Sequence, residues 1–189
     1  MNDTSAKKLA RALKALVTIV FVCNLLLLPL VPGLVGIGAG GGMEALWVIA
    51  NGTFYHTLAF FTVCWQYLWR VWRDTYTAVL AAFLLFCGVN TAVVLWQARR
   101  VLGTVIAGLP FQRSNAKSMK TAAVSFGLIA LAALCRMVWG FFYYRSVAPV
   151  FTYNALFIPI FGMASLLCLV MSALFGQAAA LKEDSDLTI

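Results

Sequence analysis

Few residues in this chain can do chemistry, and their spacing does not suit catalysis. Acid–base work needs paired carboxylates, and nucleophilic work needs a Ser/His or Cys/His set. Neither pattern is present, so no enzyme activity and no cofactor is expected. The single histidine, His56, has no second His, Cys or carboxylate at ligand spacing, and a metal site needs three or four donors. Metal binding is therefore not expected, and only imidazole titration near physiological pH makes His56 a candidate for sensing. The five cysteines, Cys23, Cys64, Cys87, Cys135 and Cys168, contain no CxxC pair and read as buried free thiols. What the sequence offers instead is electrostatic. The stretch Arg99 to Lys120 carries Arg99, Arg100, Arg113, Lys117 and Lys120, and the tail LKEDSDLTI carries Glu183, Asp184 and Asp186. If both emerge on one side, they pair or compete for a shared partner.

The elements that must position these charges are membrane helices. With 189 residues, 63% hydrophobic and 11% charged, and a mean hydropathy of +0.92, the chain lies outside soluble composition, where about a quarter of residues are charged. The net charge of +8 sits mostly at the ends of apolar runs, which fits anchoring to anionic headgroups better than a nucleic-acid surface. We expect an all-α integral membrane protein of one domain. Its four transmembrane helices cover about 15–31, 76–96, 121–141 and 151–175.

Charge asymmetry orients these spans. If residues 33–75 stay outside, Lys7, Lys8, Arg11, Lys14, the five basic residues of loop 97–120 and Lys182 are inside, ten against Arg70, Arg73 and Arg145 outside. If that segment crosses, the bias falls to seven against six. The positive-inside rule therefore selects four spans in the cytoplasmic (inner) membrane, with both termini, loop 97–120 and the acidic tail 177–189 in the cytoplasm.

Local patterns fill in the connections. Lys7, Arg11 and Lys14 at i, i+4, i+7 with Leu9, Leu13 and Leu16 on another face predict an amphipathic lead-in along the headgroups. Pro29, Pro32 and the glycines from Gly33 are expected to end the first span. In the external segment, Asn51-Gly52 between apolar residues predicts a short β-hairpin. Phe61, Trp65, Trp69 and Trp72 then predict an interfacial, aromatic-faced helix, which is either a lid or a ligand-sensing surface. Val101, Leu102, Val105, Ile106 and Leu109 extend the second span as a helix until Gly108-Leu109-Pro110 breaks it. Ser114 or Asn115 is expected to cap the next helix, with Phe111 packed on its first turn. Ala122, Ala123, Ser125 and Gly127 allow close approach in the third span. In the fourth, Ala164, Cys168, Ser172 and Gly176 form a small-residue seam. Arg136 is the one charge inside a span and so a candidate site. It lies sixteen residues past Lys120, roughly 24 Å along a helix, where it reaches the outer boundary by snorkelling.

The four spans, the motif Gly108-Leu109-Pro110-Phe111 followed by Asn115, and the end Glu183-Asp184-Ser185-Asp186-Leu187-Thr188-Ile189 resemble a family of small prokaryotic membrane proteins known as domain of unknown function twenty-nine seventy-five. Members are often encoded beside a short Cro/C1-type helix-turn-helix regulator. The resemblance thus implies a membrane component that controls or tethers a transcription factor. Two departures are Ser185, where an asparagine is expected, and the tryptophan-rich segment from Trp47 to Trp72.

The functional expectation is a non-enzymatic membrane regulator or anchor that binds a small helix-turn-helix protein and makes no direct contact with nucleic acid. Its partner-binding set is Arg99, Arg100, Gly108, Pro110, Phe111, Arg113, Asn115, Lys117, Glu183, Asp184, Asp186 and Leu187. His56, Trp65, Trp69, Trp72 and Arg136 are the candidates for ligand or signal sensing. Membrane lipids are the other expected partners, and a homo-oligomer is compatible with the sequence. The competing class is a small transporter or channel for an apolar or cationic solute. Against it stands the near absence of intramembrane acidic residues, which coupled transporters commonly use.

Overall fold

The computed structural model describes residues 3–39, 64–109 and 111–187, and among these every regular element is helical. Helix α1 covers Asp3–Leu27 and α2 covers Val31–Ala39. A helical stretch at 64–70 precedes α3, Thr75–Ile106. Helices α4, Arg113–Tyr144, and α5, Tyr153–Leu187, follow. Four stretches of 32 residues, Lys8–Ala39, Thr75–Ile106, Arg113–Tyr144 and Asn154–Ser185, are long and apolar enough to cross a membrane. Each is about 48 Å long at 1.5 Å per residue, against a hydrocarbon core of about 30 Å. In their most apolar windows only 28% of the third stretch and none of the fourth is buried within the protein. So much apolar surface needs lipid to cover it, and the chain is a multi-pass membrane protein.

The chain divides into two compact units, Leu25–Gly88 and Met1–Asn24 with Val89–Ile189. In the first, Pro29 and Pro32 do not end the helical path as the sequence suggested. A 3₁₀ turn at Leu28–Leu30 takes up Pro29, and Pro32 falls in the first turn of α2, where a missing N–H costs no intrahelical bond. The glycines that follow are packing positions. A Cβ on Gly33 would come within 2.6 Å of the Cys64 carbonyl oxygen, and one on Gly36 within 2.8 Å of Val71 Cγ2. The stretch 64–70 and the 3₁₀ turn Val71–Arg73 that follows it thereby lay Cys64 and Val71, both buried, on α2, while Trp65, Trp69 and Trp72 stay exposed. Burial pushes the Cys64 thiol above its ordinary value, so it stays protonated and packs as a small apolar group. Asp74 starts α3 as its N-cap, accepting the Thr77 backbone N–H on Oδ2 at 3.1 Å. The expected hairpin at Asn51-Gly52 and the residue His56 lie outside the described residues.

In the second unit α4 and α5 form an antiparallel hairpin. Cross-contacts run in reverse order along the pair: Arg136 with Asn154, Phe126 with Phe161, Ala123 with Ser165, Ala116 with Ser172, and Phe111, just before α4, with Phe175. On α4 the buried positions Asn115, Ser118, Ala122, Ser125, Ile129 and Ala133 step by three or four, the period of a packed helix pair. Ser165 Oγ donates to the Ala123 carbonyl and Ser172 Oγ to the Ala116 carbonyl, each at 2.8 Å. A Cβ on Gly127 would stand 3.3 Å from Ser165 Oγ. The seam on α5 thus includes Ser165 and departs from the expected strict fourfold spacing. A four-residue step overshoots a 3.6-residue turn and drifts around the helix.

Gly33→Ala is expected to destabilise the protein by about 1–3 kcal/mol, the usual cost of overpacking, while Gly38→Ala, with nothing within 4 Å of its Cβ, should be neutral. Thermal melts of the purified variants in detergent check both.

Candidate functional site

The basic stretch and the acidic end of the chain meet at one end of the α4–α5 hairpin. Helix α3 stops at Ile106, and Gly108 reverses the chain with φ +76, a left-handed conformation that glycine adopts without steric penalty. The Gly108 and Leu109 N–H groups donate to the Val105 and Thr104 carbonyls, at 3.1 and 3.0 Å. Pro110 lies outside the described residues. Helix α4 starts after Gln112, whose side chain makes no capping bond. The expected caps do other things. Ser114 Oγ lies 3.2 Å from Gln112 Oε1, and Asn115 is buried.

Asn115 is 1% exposed, and its Nδ2 donates to Thr104 Oγ1 at 2.7 Å. The Thr104 hydroxyl sits 2.7 Å from the Val101 carbonyl and donates to it. A buried amide is tolerated only when bonded, so this relay fixes how α3 and α4 approach across the turn. Phe111 packs its ring 6.2 Å from that of Phe175 on α5 while remaining half exposed. Arg113 Nη2 meets Glu183 Oε2 at 2.6 Å, with side chains 69% and 53% exposed. That bond joins the loop to the acidic end, as the charge pattern suggested. The acidic end continues α5 as helix to Leu187.

The proposed set is thereby sorted by position. Arg100, Gly108, Phe111, Arg113, Lys117, Glu183 and Asp184 are exposed at this end of the unit. Arg99 is turned toward α1, its guanidinium 5.3 Å from the Phe21 ring and 5.6 Å from the Trp96 ring, a cation–π clamp. Asp186 and Leu187 lie in the last turn of α5. Arg136 is away from this group, its Nη1 donating to Asn154 Oδ1 at 3.0 Å beside the stacked Trp139 and Tyr143 rings. A charge in a span has here a partner on the next helix, and the bond ties α4 to α5 at their other end. Trp65, Trp69 and Trp72 belong to the other unit. Among the described residues no three His, Cys, Asp or Glu side chains cluster to hold a metal.

Sequence reasoning missed Thr104, Phe175 and Asn154. Thr104 was within reach: it lies eleven residues before Asn115 across a Gly-Pro reversal, and a buried amide requires a partner. Phe175 and Asn154 are set by helix pairing, which one sequence does not display.

A family described as "Protein of unknown function (DUF2975)" matches residues 66–189. The chain belongs to the DUF2975 family. The match takes in α3, α4, α5, the loop and the acidic end, and so the whole of the DUF2975 surface described above. Neither the curated proteins nor the solved structures contain a match to it.

The two polar links differ in what they do for folding. Asn115→Ala is expected to cost about 1–3 kcal/mol, because it removes a buried amide and leaves the half-buried Thr104 hydroxyl short of a donor. Glu183→Gln should cost under about 1 kcal/mol, because an exposed ion pair contributes little. Melting curves of the two variants at matched pH and salt test the contrast.

Proposed function

We propose that this DUF2975 protein is a membrane-embedded regulator or anchor. In this reading loop 97–120 and the end of α5 face the cytoplasm and hold a small helix-turn-helix transcription factor. The observation that carries it is the Arg113–Glu183 bond, which draws two segments seventy positions apart into one exposed, mixed-charge surface. An exposed ion pair of this kind is weak and can be exchanged for bonds to a partner at little cost. The neighbouring groups suit that exchange. Glu183 and Asp184 offer carboxylates to the basic surface that a DNA-binding protein turns toward phosphates, and half-exposed Phe111 offers an apolar anchor in the middle. Occupying the partner's basic surface would hold it off DNA, and the capture would weaken as salt rises. No acid–base or nucleophilic set is needed for such a role, and the protein is read as a non-enzyme.

A detergent pull-down of the tagged protein from its native host, at low and then raised salt, tests this. A small helix-turn-helix protein should be recovered and then released by salt. Glu183→Gln/Asp184→Asn should reduce its recovery about tenfold or more, two charge-assisted bonds being worth at least 1.4 kcal/mol together, with the melting temperature unchanged. Full retention of the partner by that variant would refute the proposed surface.

A further inference from the structure

We propose that the groove between the start of α1 and the end of α3 is a discrete binding site for one anionic phospholipid. It is an open groove of about 580 Å³ lined by Arg11, Lys14, Ala15, Thr18, Ile19 and Ile106. Its floor is apolar, and Arg11 and Lys14 are its charged groups among the described residues. Thr18 satisfies its own hydroxyl on the Lys14 carbonyl at 2.7 Å, so it adds no competing donor to the floor. A Cβ on Gly103 would lie 3.4 Å from Lys14 Nζ, which shows the ammonium resting across the bare backbone of α3. Among the described residues, neither Arg11 nor Lys14 is joined to a carboxylate in an ion pair.

The position of the groove determines what fills it. The first membrane-crossing stretch begins at Lys8 and the second ends at Ile106, so the two cations stand in the first two turns of the one, beside the last turn of the other, at headgroup depth. Leu16 and Ile19 beside the groove are 59% and 64% exposed, and they continue its floor into the lipid-facing surface of α1. An occupant must carry a negative charge at the boundary and hydrocarbon below it, which describes a phosphate headgroup with its acyl chain. The orientation proposed above puts this end in the cytoplasmic leaflet, where anionic lipid attracts interfacial Lys and Arg. The site does not depend on the transcription-factor reading, and no residue is shared between the two.

Native mass spectrometry of the full chain in detergent, titrated with phosphatidylglycerol or phosphatidylcholine, tests the site. One phosphatidylglycerol should bind ahead of any further lipid and in preference to phosphatidylcholine. Arg11→Gln/Lys14→Gln should weaken that first binding about tenfold or more, as two interfacial cations predict. Lys120→Gln/Lys182→Gln, with the same charge loss at the same end, should leave it within about twofold, as charges outside the groove contribute only screened, diffuse attraction. Ile106→Trp keeps both cations but fills the groove, and should also abolish the first binding. Equal losses in the two charge pairs, no preference for phosphatidylglycerol, or equal competition by water-soluble glycerol phosphate would each overturn the proposal.

Discussion

In hydrocarbon, burying a leucine against another helix gains little, because lipid tails are as apolar as the side chain they replace. Helices must be joined by close approach and by polar bonds. The α4–α5 hairpin has both. Ala122, Ala123, Ser125, Ala133 and Gly127 let the backbones come near, and Ser165 and Ser172 bond to carbonyls of the facing helix. These hydroxyl bonds are seven residues apart, two turns of α5. They fix the register as well as the approach, because a one-residue slide would take both off their acceptors.

That register positions everything at the loop end. With Ser172 held at Ala116, Phe175 falls under Phe111 and Glu183 comes to Arg113. The exposed ion pair is a consequence of the hairpin and contributes little to holding it. The buried link from Asn115 through Thr104 to the Val101 carbonyl sets the approach of α3 to α4. Stability and the proposed recognition thereby fall to different residues. Asn115, Thr104 and the two serines hold the shape, while Arg113, Lys117, Phe111, Glu183 and Asp184 are left exposed for contact.

Much of this was legible in the sequence, because bilayer thickness and the satisfaction of backbone groups leave few alternatives for long apolar runs. Four helices long and apolar enough to span and the reversal at Gly108 follow from composition and periodicity. Where the reading went astray, a residue type with a strong local preference was claimed by tertiary contact. Asn115 looks like a helix cap and is instead a buried partner of Thr104. Pro29 and the glycines at 33 and 36 look like a span end. A 3₁₀ turn absorbs the proline, and the glycines admit Cys64 and Val71 against α2. Opposite charges on two segments suggested that they pair, but which residues meet was not legible, since the register of α5 on α4 brings position 183 to position 113.

The proposed role requires the loop and the end of α5 to form one surface on the cytoplasmic side. The direct measurement is site-specific labelling with a membrane-impermeant maleimide, using Ser114→Cys and Ser185→Cys in a chain whose five native cysteines are replaced. Both positions should react in inside-out vesicles and resist the reagent in intact spheroplasts. Labelling of either position in spheroplasts would place that segment outside the cell and contradict the account.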